Sequence, residues 1–177
     1  MEIVYRPLAA EEIDRELFAH FIRKQVVTDC RRKAGGAWII VNAPFIDDWN
    51  ESDYEFLVRC LKKTAETGGA VIGAFENGNL KGFASVESAP VPEMEKYRDL
   101  TSLHVSADRR GSGIGRALFD AAKAAAKKFG GEKLYISAHS AVETQAFYAA
   151  MGCRDAETVN AEHVKKEPFD CQLECDL

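Results

Sequence analysis

The chain has 177 residues, of which 46% are hydrophobic and 29% are charged, and this composition predicts one globular domain over residues 1–177. Its formal net charge of −5 argues against a nucleic-acid-binding protein, which would present a basic face. Five cysteines without a C-x-x-C pair predict no metal centre, and the lack of a leader peptide or a long apolar run predicts a cytoplasmic protein that binds no membrane.

The first quarter of the chain carries weak periodic signals. Residues 3–5 have the composition of a short strand. Apolar residues at a spacing of four predict a helix over 11–23. Residues 24–50 have an irregular pattern, with a short apolar run at 37–41 that is compatible with a strand.

The next segment has clearer start and stop signals. Ser52 and Glu55 match the S-x-x-E capping pattern and predict a second helix, which a pair of glycines ends. An Asn-Gly turn then predicts a hairpin between strands over 70–75 and 80–86, because both turn positions need positive φ. A further strand is predicted over 97–105.

The second half of the chain contains the clearest helix, predicted over 113–129 from its apolar stripe. Ser140 and Glu143 match a second capping pattern and predict a shorter helix that ends near Gly152. The order of strands and helices predicts an α/β fold, a mixed sheet with about four helices on its faces. The remaining strands of that sheet are predicted over 133–137, 153–159 and 171–176.

A glycine-rich segment, Arg110-Gly111-Ser112-Gly113-Ile114-Gly115, joins a predicted strand to the long helix. Unhindered peptide N–H groups at a helix N-terminus form an anion site, and glycines let the loop approach the anion closely. The spacing matches neither the Walker pattern G-x-x-x-x-G-K-[ST] nor the dinucleotide pattern G-x-G-x-x-G. The segment therefore predicts a different kind of phosphate or pyrophosphate site.

The same segment fits the pattern [Q/R]-x-x-G-x-[G/A], and Phe147-Tyr148 followed by Gly152 fits F-Y-x-x-x-G on a later helix. With these two motifs in this order, the chain resembles the GNAT superfamily of acetyl-CoA-dependent N-acetyltransferases over about residues 70–155. The resemblance implies a mostly antiparallel central sheet with one splayed pair of parallel strands. Because enzymes of this superfamily are often dimers, it also raises a homodimer as an expectation.

The resemblance implies acetyl-CoA as the cosubstrate, with its pyrophosphate on the loop amides and its pantetheine arm paired to a strand like an added strand. Many relatives also use an asparagine at the start of the later helix, where this chain has Ala141. Either Ser140, Glu143 or Gln145 substitutes for it, or the contact is missing. The implied cofactor contacts are Leu103, His104, Val105, Arg110, Gly111, Ser112, Gly113, Ile114, Gly115, Arg116, Gln145 and Tyr148.

The resemblance further implies direct attack by a primary amine on the acetyl thioester. Tyr148 matches the general acid that protonates the departing thiolate. Asp99 and Glu87 are rival candidates for the general base, and each also fits a solvated carboxylate at the end of a strand. The alternative function is a non-catalytic domain that binds or senses acyl-CoA and needs neither an acid nor a base.

Acidic and aromatic residues cluster before the second helix. Such side chains attract an ammonium group through charge and cation–π contact, which predicts a small-molecule or peptide amine as the partner. A solvated turn with core tryptophans fits the same residues equally well. The predicted acceptor residues are Trp38, Phe45, Asp47, Asp48 and Trp49.

Overall fold

The computed structural model describes residues 2–177, and a seven-stranded sheet forms its centre. Seven of the nine strands lie in that sheet in the order β1-β4-β5-β6-β7-β9-β8, and the other two form a separate hairpin. The strands are β1 (Val4–Pro7), β2 (Gln25–Ala34), β3 (Ala37–Asp47), β4 (Ala70–Glu76), β5 (Asn79–Val91), β6 (Met94–Val105), β7 (Lys133–Ala138), β8 (Arg154–Asp155) and β9 (Cys171–Asp176).

Four α-helices accompany the sheet within the described residues, and two of them cover its opposite faces. Leu118 and Phe119 of α2 are buried among Ala84 and Val86 of β5, and α1 packs on the other face around Phe83. Alternate residues of one strand thus contact different helices, as the pleat of a strand requires. The helices are α1 (Glu51–Glu66), α2 (Ile114–Lys128), α3 (Val142–Ala150) and α4 (Ala161–Lys166).

The parallel pair β6–β7 separates partway along its length. Pairing runs only from Tyr97 opposite Lys133 to Asp99 opposite Tyr135, whereas residues 100–105 of β6 pair with β5 alone. All other neighbours in the sheet are antiparallel. This confirms the predicted α/β fold with one splayed parallel pair, and the space beyond Asp99 and Tyr135 is called the gap.

An irregularity in β6 determines on which face of the sheet its last side chains lie. Ser85 of β5 lies opposite Ser102 and Val86 lies opposite Leu100, so Thr101 is an extra residue without a partner in the register. A bulge of this kind shifts the alternation of side chains by one position. Residues 103 and 105 therefore face the side of α2 and α3.

The structure corrects the predictions for the first quarter of the chain. The predicted helix over 11–23 is wrong, because two 3-10 turns, Ala10–Glu12 and Glu16–Phe18, replace it. Residues 24–50 contain β2 and β3 instead of irregular chain with one short strand. Gly35 and Gly36 make their turn at φ 56° and 81°, the positive values that such two-residue hairpin turns require.

Two predicted helix caps and one predicted strand are also wrong. Asn50 and Asp53 form the capping box of α1, with reciprocal bonds of 2.9 and 3.0 Å, in place of Ser52 and Glu55. Ser140 does not cap α3, because its hydroxyl accepts a bond of 2.7 Å from Arg32. The strand predicted over 153–159 is reduced to β8, and α4 follows it without having been predicted.

Candidate active site

The glycine loop, residues 110–116, runs from the end of β6 into the first turn of α2. Gly111 and Gly113 have φ angles of 77° and 88°, which only glycine adopts without strain. Within residues 2–177, no peptide N–H of residues 111–116 donates to another protein atom. The glycine loop therefore presents unpaired donors at a helix N-terminus, an arrangement that binds anions.

A cavity of about 520 Å³, called the loop cavity, lies between the glycine loop, the gap and α3. Leu103 and Val105 line it from β6, where β7 no longer covers the strand edge. Phe147 and Tyr148 line it from α3. Its other lining residues are Gln25, Arg110, Gly111, Gly113, Gly115, Arg116, Glu143, Thr144, Ala150 and Met151.

Tyr148 lies in the last turn of α3, and its ring packs against other aromatic rings. Its centroid lies 6.1 Å from that of Phe119 and 5.2 Å from that of Phe147. The residue is 7% exposed, and its hydroxyl forms no hydrogen bond to other described residues. Burial raises the pKa of Tyr148 well above its ordinary value, so the phenol keeps its proton at neutral pH.

The structure contradicts the predicted cofactor contact of the Gln145 side chain. Gln145 is 4% exposed, and its amide nitrogen donates to the carbonyl of His139 at 2.7 Å. The residues of α3 that line the loop cavity near this point are Glu143 and Thr144. The Gln145 side chain therefore points inward, toward the chain that precedes α3.

Two other predicted contact residues, Ser112 and Ile114, are not among the residues that line the loop cavity. The side chain of Ile114 is 1% exposed and belongs to the apolar core under α2. The hydroxyl of Ser112 donates to the carbonyl of Arg109 at 2.6 Å and so closes the loop on itself. Both residues can offer peptide N–H groups, which is the contribution that an anion site needs.

Arg110 and His104 have structural surroundings that the sequence did not indicate. The guanidinium of Arg110 donates to the carbonyls of Lys24 at 3.0 Å and Arg23 at 2.9 Å, which ties the glycine loop to the chain before β2. The His104 ring faces away from the loop cavity, 4.9 Å from the ring centroid of Trp49. Burial, with the charges of Arg23 and Arg110, lowers the pKa of His104 to about 3, so this imidazole is neutral.

A second cavity of about 810 Å³, called the carboxylate cavity, lies on the other side of the gap, between α1 and α4. Five carboxylates and two lysines line it: Asp53, Glu87, Asp99, Glu167, Asp170, Lys63 and Lys166. Its other lining residues are Trp49, Phe56, Leu57, Cys60, Leu61, Thr64, Ser85, Leu100, Thr101, Ser102, Ser137 and His163.

The carboxylate cavity brings together the two candidate bases. Glu87, at the outer part of β5, accepts a bond of 2.6 Å from the hydroxyl of Thr64. Asp99, in the last parallel pair of β6, has one carboxylate oxygen 2.7 Å from Nε2 of His163. Its other oxygen is buried and has no hydrogen-bond partner among the described residues. Asp99 thus lies at the start of the gap, because it belongs to the last parallel pair.

Two predicted acceptor residues lie on the hairpin β2–β3, away from the carboxylate cavity. The indole of Trp38 donates to the carboxylate of Asp155 at 3.0 Å. The Phe45 ring packs against His139 at a centroid distance of 5.3 Å. The predicted aromatic cluster is therefore divided, because the two side chains project from different ends of one hairpin.

The other three predicted acceptor residues lie at the end of that hairpin or directly after it, and one of them lines the carboxylate cavity. Asp47 forms an ion pair with Arg23, which offsets its charge. Asp48 accepts a bond of 2.9 Å from the peptide N–H of Trp49. Trp49 itself lines the carboxylate cavity and stacks on Phe21. The structure thus leaves Trp49 as the predicted acceptor residue beside the candidate bases.

The family model of GNAT acetyltransferases matches residues 36–153, which is more than half of the chain. The chain therefore belongs to the GNAT acetyltransferase family, and it is an N-acetyltransferase. No curated protein matches the chain. Separately, no helix within residues 2–177 is both long and apolar enough to cross a membrane.

Solved structures share the fold over nearly the whole chain. A protein assigned as a streptothricin acetyltransferase, from Bacillus anthracis str. Ames and in complex with acetyl coenzyme A, has a TM-score of 0.75 at 13% identity, covering 100% of this chain and 99% of that one. Nourseothricin acetyltransferase has a TM-score of 0.67 at 17% identity, with 98% and 96% coverage. PaiA N-acetyltransferase from Thermoplasma acidophilum, with coenzyme A, has a TM-score of 0.60 at 16% identity, with 100% coverage of both chains. Identities this low show a shared fold.

Proposed function

We propose that residues 1–177 act as one domain that transfers an acetyl group from acetyl-CoA to a primary amine of a small molecule or peptide. The observation that carries this proposal is the position of the glycine loop. Its unpaired N–H groups lie at one end of the loop cavity, and the gap between β6 and β7 lies at the other. A diphosphate and an extended thioester arm need such an arrangement.

The residues that line the loop cavity fit acetyl-CoA. The N–H groups of residues 111–116 would hold the diphosphate, and the free edge of β6 at Leu103 and Val105 would pair with the pantetheine amides. Arg116 adds a positive charge to the same wall. Acetyl-CoA supplies the acetyl group as a thioester. Two of the compared structures contain acetyl coenzyme A or coenzyme A, which supports this assignment.

The proposed chemistry requires an acid on one side of the gap and a base on the other. Tyr148 keeps its proton because it is buried, and its hydroxyl is free to donate that proton to the departing sulfur. Asp99 and Glu87 lie in the carboxylate cavity, where negative charge attracts an ammonium group and a carboxylate can accept its proton. The amine would therefore attack from the carboxylate cavity.

The charges of the carboxylate cavity favour a cationic acceptor. Five carboxylates face two lysines there, so the wall is negative overall. Trp49 and Phe56 also line it, and the guanidinium groups of Arg23 and Arg59 already lie 4.9 and 5.9 Å from the centroids of these rings. Two of the compared structures are a nourseothricin acetyltransferase and a protein assigned as a streptothricin acetyltransferase, which supports a small-molecule amine as the acceptor.

The test is release of free CoA thiol from acetyl-CoA in the presence of a panel of primary amines, including diamines, aminoglycosides and lysine peptides. We expect at least one amine to accelerate thiol release above the rate without enzyme, and acetyl-CoA alone to raise the unfolding temperature by mass action. A raised unfolding temperature without any amine-dependent release would support the non-catalytic acyl-CoA-binding domain instead.

A further inference from the structure

His163 lines the carboxylate cavity from α4, the helix that the sequence did not predict. Its ring is fixed by two contacts. Nε2 lies 2.7 Å from a carboxylate oxygen of Asp99, and the ring stacks on Tyr135 at a centroid distance of 5.4 Å and an angle of 27°. Asn160 caps α4 at the N–H of His163, which fixes the backbone as well. The imidazole is thus held in one orientation.

The two residues that hold the ring mark the place where the sheet opens. Asp99 and Tyr135 are the last parallel pair of β6 and β7 before the gap. A ring that contacts both of them lies directly over the start of the gap. The acetyl carbon has to reach an acceptor amine through this opening, since the loop cavity and the carboxylate cavity lie on its two sides.

Accessibility distinguishes the two partners of this pair. The Asp99 side chain is 14% exposed, and its second oxygen is buried without a partner. The His163 side chain is 27% exposed. Its Nδ1 forms no hydrogen bond within residues 2–177 and is not among the buried unpartnered atoms, so it is open to solvent. An incoming amine therefore meets the imidazole before the carboxylate.

We propose that His163 is the general base of the reaction and that Asp99 is its positioning residue. The Nδ1 lone pair takes one proton from the acceptor nitrogen, whose N–H bond breaks, and the resulting imidazolium stays beside the Asp99 carboxylate. The nitrogen keeps the electron pair with which it attacks the acetyl carbon. A carboxylate that orients an imidazole through its opposite nitrogen is an established way to make a strong base. This inference rests on the proposed function.

The charged groups around His163 shift its pKa, and its protonation state therefore depends on pH near neutrality. Its hydrogen bond with the Asp99 carboxylate raises the pKa of His163 above its ordinary value, although burial lowers it. Lys166 of α4 lowers the same pKa, and Asp170, which precedes β9, raises it. Tyr135 faces the ring from β7, and Glu167 lines the same cavity. Since the base acts as neutral imidazole, activity falls as the pH drops through this raised pKa.

The first test compares His163→Gln with His20→Gln as a matched control. Glutamine can still donate to Asp99 but cannot accept a proton, whereas His20 is exposed and uses only its backbone carbonyl, toward Lys81. We expect His163→Gln to lower kcat by about 10²–10⁴-fold, with the KM of acetyl-CoA unchanged, and His20→Gln to match the wild type. A His163→Gln enzyme whose kcat stays within about threefold of the wild type would overturn the proposal.

The second test uses Asp99→Asn and does not depend on the first variant folding well. Loss of the carboxylate should lower the pKa of His163, measured from its imidazole proton resonances, and should move the acid limb of kcat/KM to lower pH. Division by the wild-type rate at each pH removes the titration of the amine itself. An acid limb that stays in place would show that the limb does not report His163 and would overturn the proposal. Asp99→Asn without activity beside an active His163→Gln would assign the base to Asp99 and overturn it as well. A wild type that acetylates no amine would instead refute the proposed function.

Discussion

The loop cavity and the carboxylate cavity are built from different parts of the polypeptide. The anion-binding end of the loop cavity uses peptide N–H groups of one continuous segment, residues 110–116. The carboxylate cavity uses side chains from α1, β5, β6, β7 and α4. The first therefore depends on backbone geometry and the second on side-chain charge. A substitution that strains the backbone should therefore affect the loop cavity. A substitution that changes a side-chain charge should affect the carboxylate cavity.

Among the changes that compare the two cavities, the largest effect is expected at Tyr148, which lines the loop cavity. Tyr148→Phe keeps the ring that packs on Phe119 and Phe147 but removes the proton donor. We expect kcat to fall by about 10²-fold, because a positioned acid contributes at least that much. Amine-dependent thiol release measures it. Tyr5→Phe, at an exposed position of β1, serves as the control and should leave kcat unchanged. If Tyr148→Phe kept full activity, Tyr148 would not be the general acid.

A backbone change should affect the loop cavity alone. Gly113 has a φ of 88°, and a Cβ there would meet no atom within 4 Å, so Gly113→Ala acts through backbone strain. We expect a loss of about 1–2 kcal/mol in the free energy of unfolding. The KM of acetyl-CoA should rise about tenfold, equivalent to ~1.4 kcal/mol. Chemical unfolding and initial rates measure the two effects.

Gly36→Ala provides a matched control for this strain. Gly36 has a φ of 81° and equally open surroundings, but it lies in the turn of the hairpin β2–β3. A similar loss in the free energy of unfolding with an unchanged KM of acetyl-CoA is expected. If both variants raised that KM equally, the glycine loop would have no special part in cofactor binding.

A charge change should affect the carboxylate cavity alone, and by less. Glu87→Gln removes one half-buried negative charge but keeps an acceptor for the hydroxyl of Thr64. We expect the KM of a cationic acceptor to rise about twofold to fivefold, the effect of an ion pair of up to ~1 kcal/mol. Glu66→Gln, exposed at the end of α1, is the control. If both variants had the same KM for the acceptor, Glu87 would not belong to the acceptor site.

The smallest effect is expected where the sequence pointed to an acceptor contact that the structure does not provide. Asp48 accepts a bond from the peptide N–H of Trp49 and lies outside the lining of the carboxylate cavity. Asp48→Asn keeps an oxygen for that bond, so the KM of the acceptor should change by less than about twofold. A larger increase would move the acceptor site toward the hairpin β2–β3.

Three parts of the fold were predictable because their sequence signals are local. The apolar stripe of α2, the Asn-Gly turn between β4 and β5 and the glycine loop each occupy a short continuous segment. In contrast, α4 has six residues and no apolar stripe, and its stability depends on the cap at Asn160 and on packing against β7. The hairpin β2–β3 contains a proline at position 44 and exposed apolar residues, which obscure the alternation of a strand.

The same difference explains which site residues the sequence could indicate. Tyr148 and the glycine loop belong to motifs whose spacing is fixed within one strand–loop–helix unit or one helix. His163 meets Asp99 across 64 positions of sequence, and no local pattern connects them. The direction of a side chain also depends on its tertiary contacts, and Gln145 points inward to donate to the carbonyl of His139.

We propose that the glycine loop holds the diphosphate of coenzyme A and directs the thioester into the gap. A crystal structure of the complex with coenzyme A tests this claim most directly. We expect diphosphate oxygens within about 3.2 Å of peptide nitrogens of residues 111–116, with the pantetheine arm beside Leu103 and Val105. A complex in which the diphosphate lies elsewhere and the loop amides face only water would contradict it.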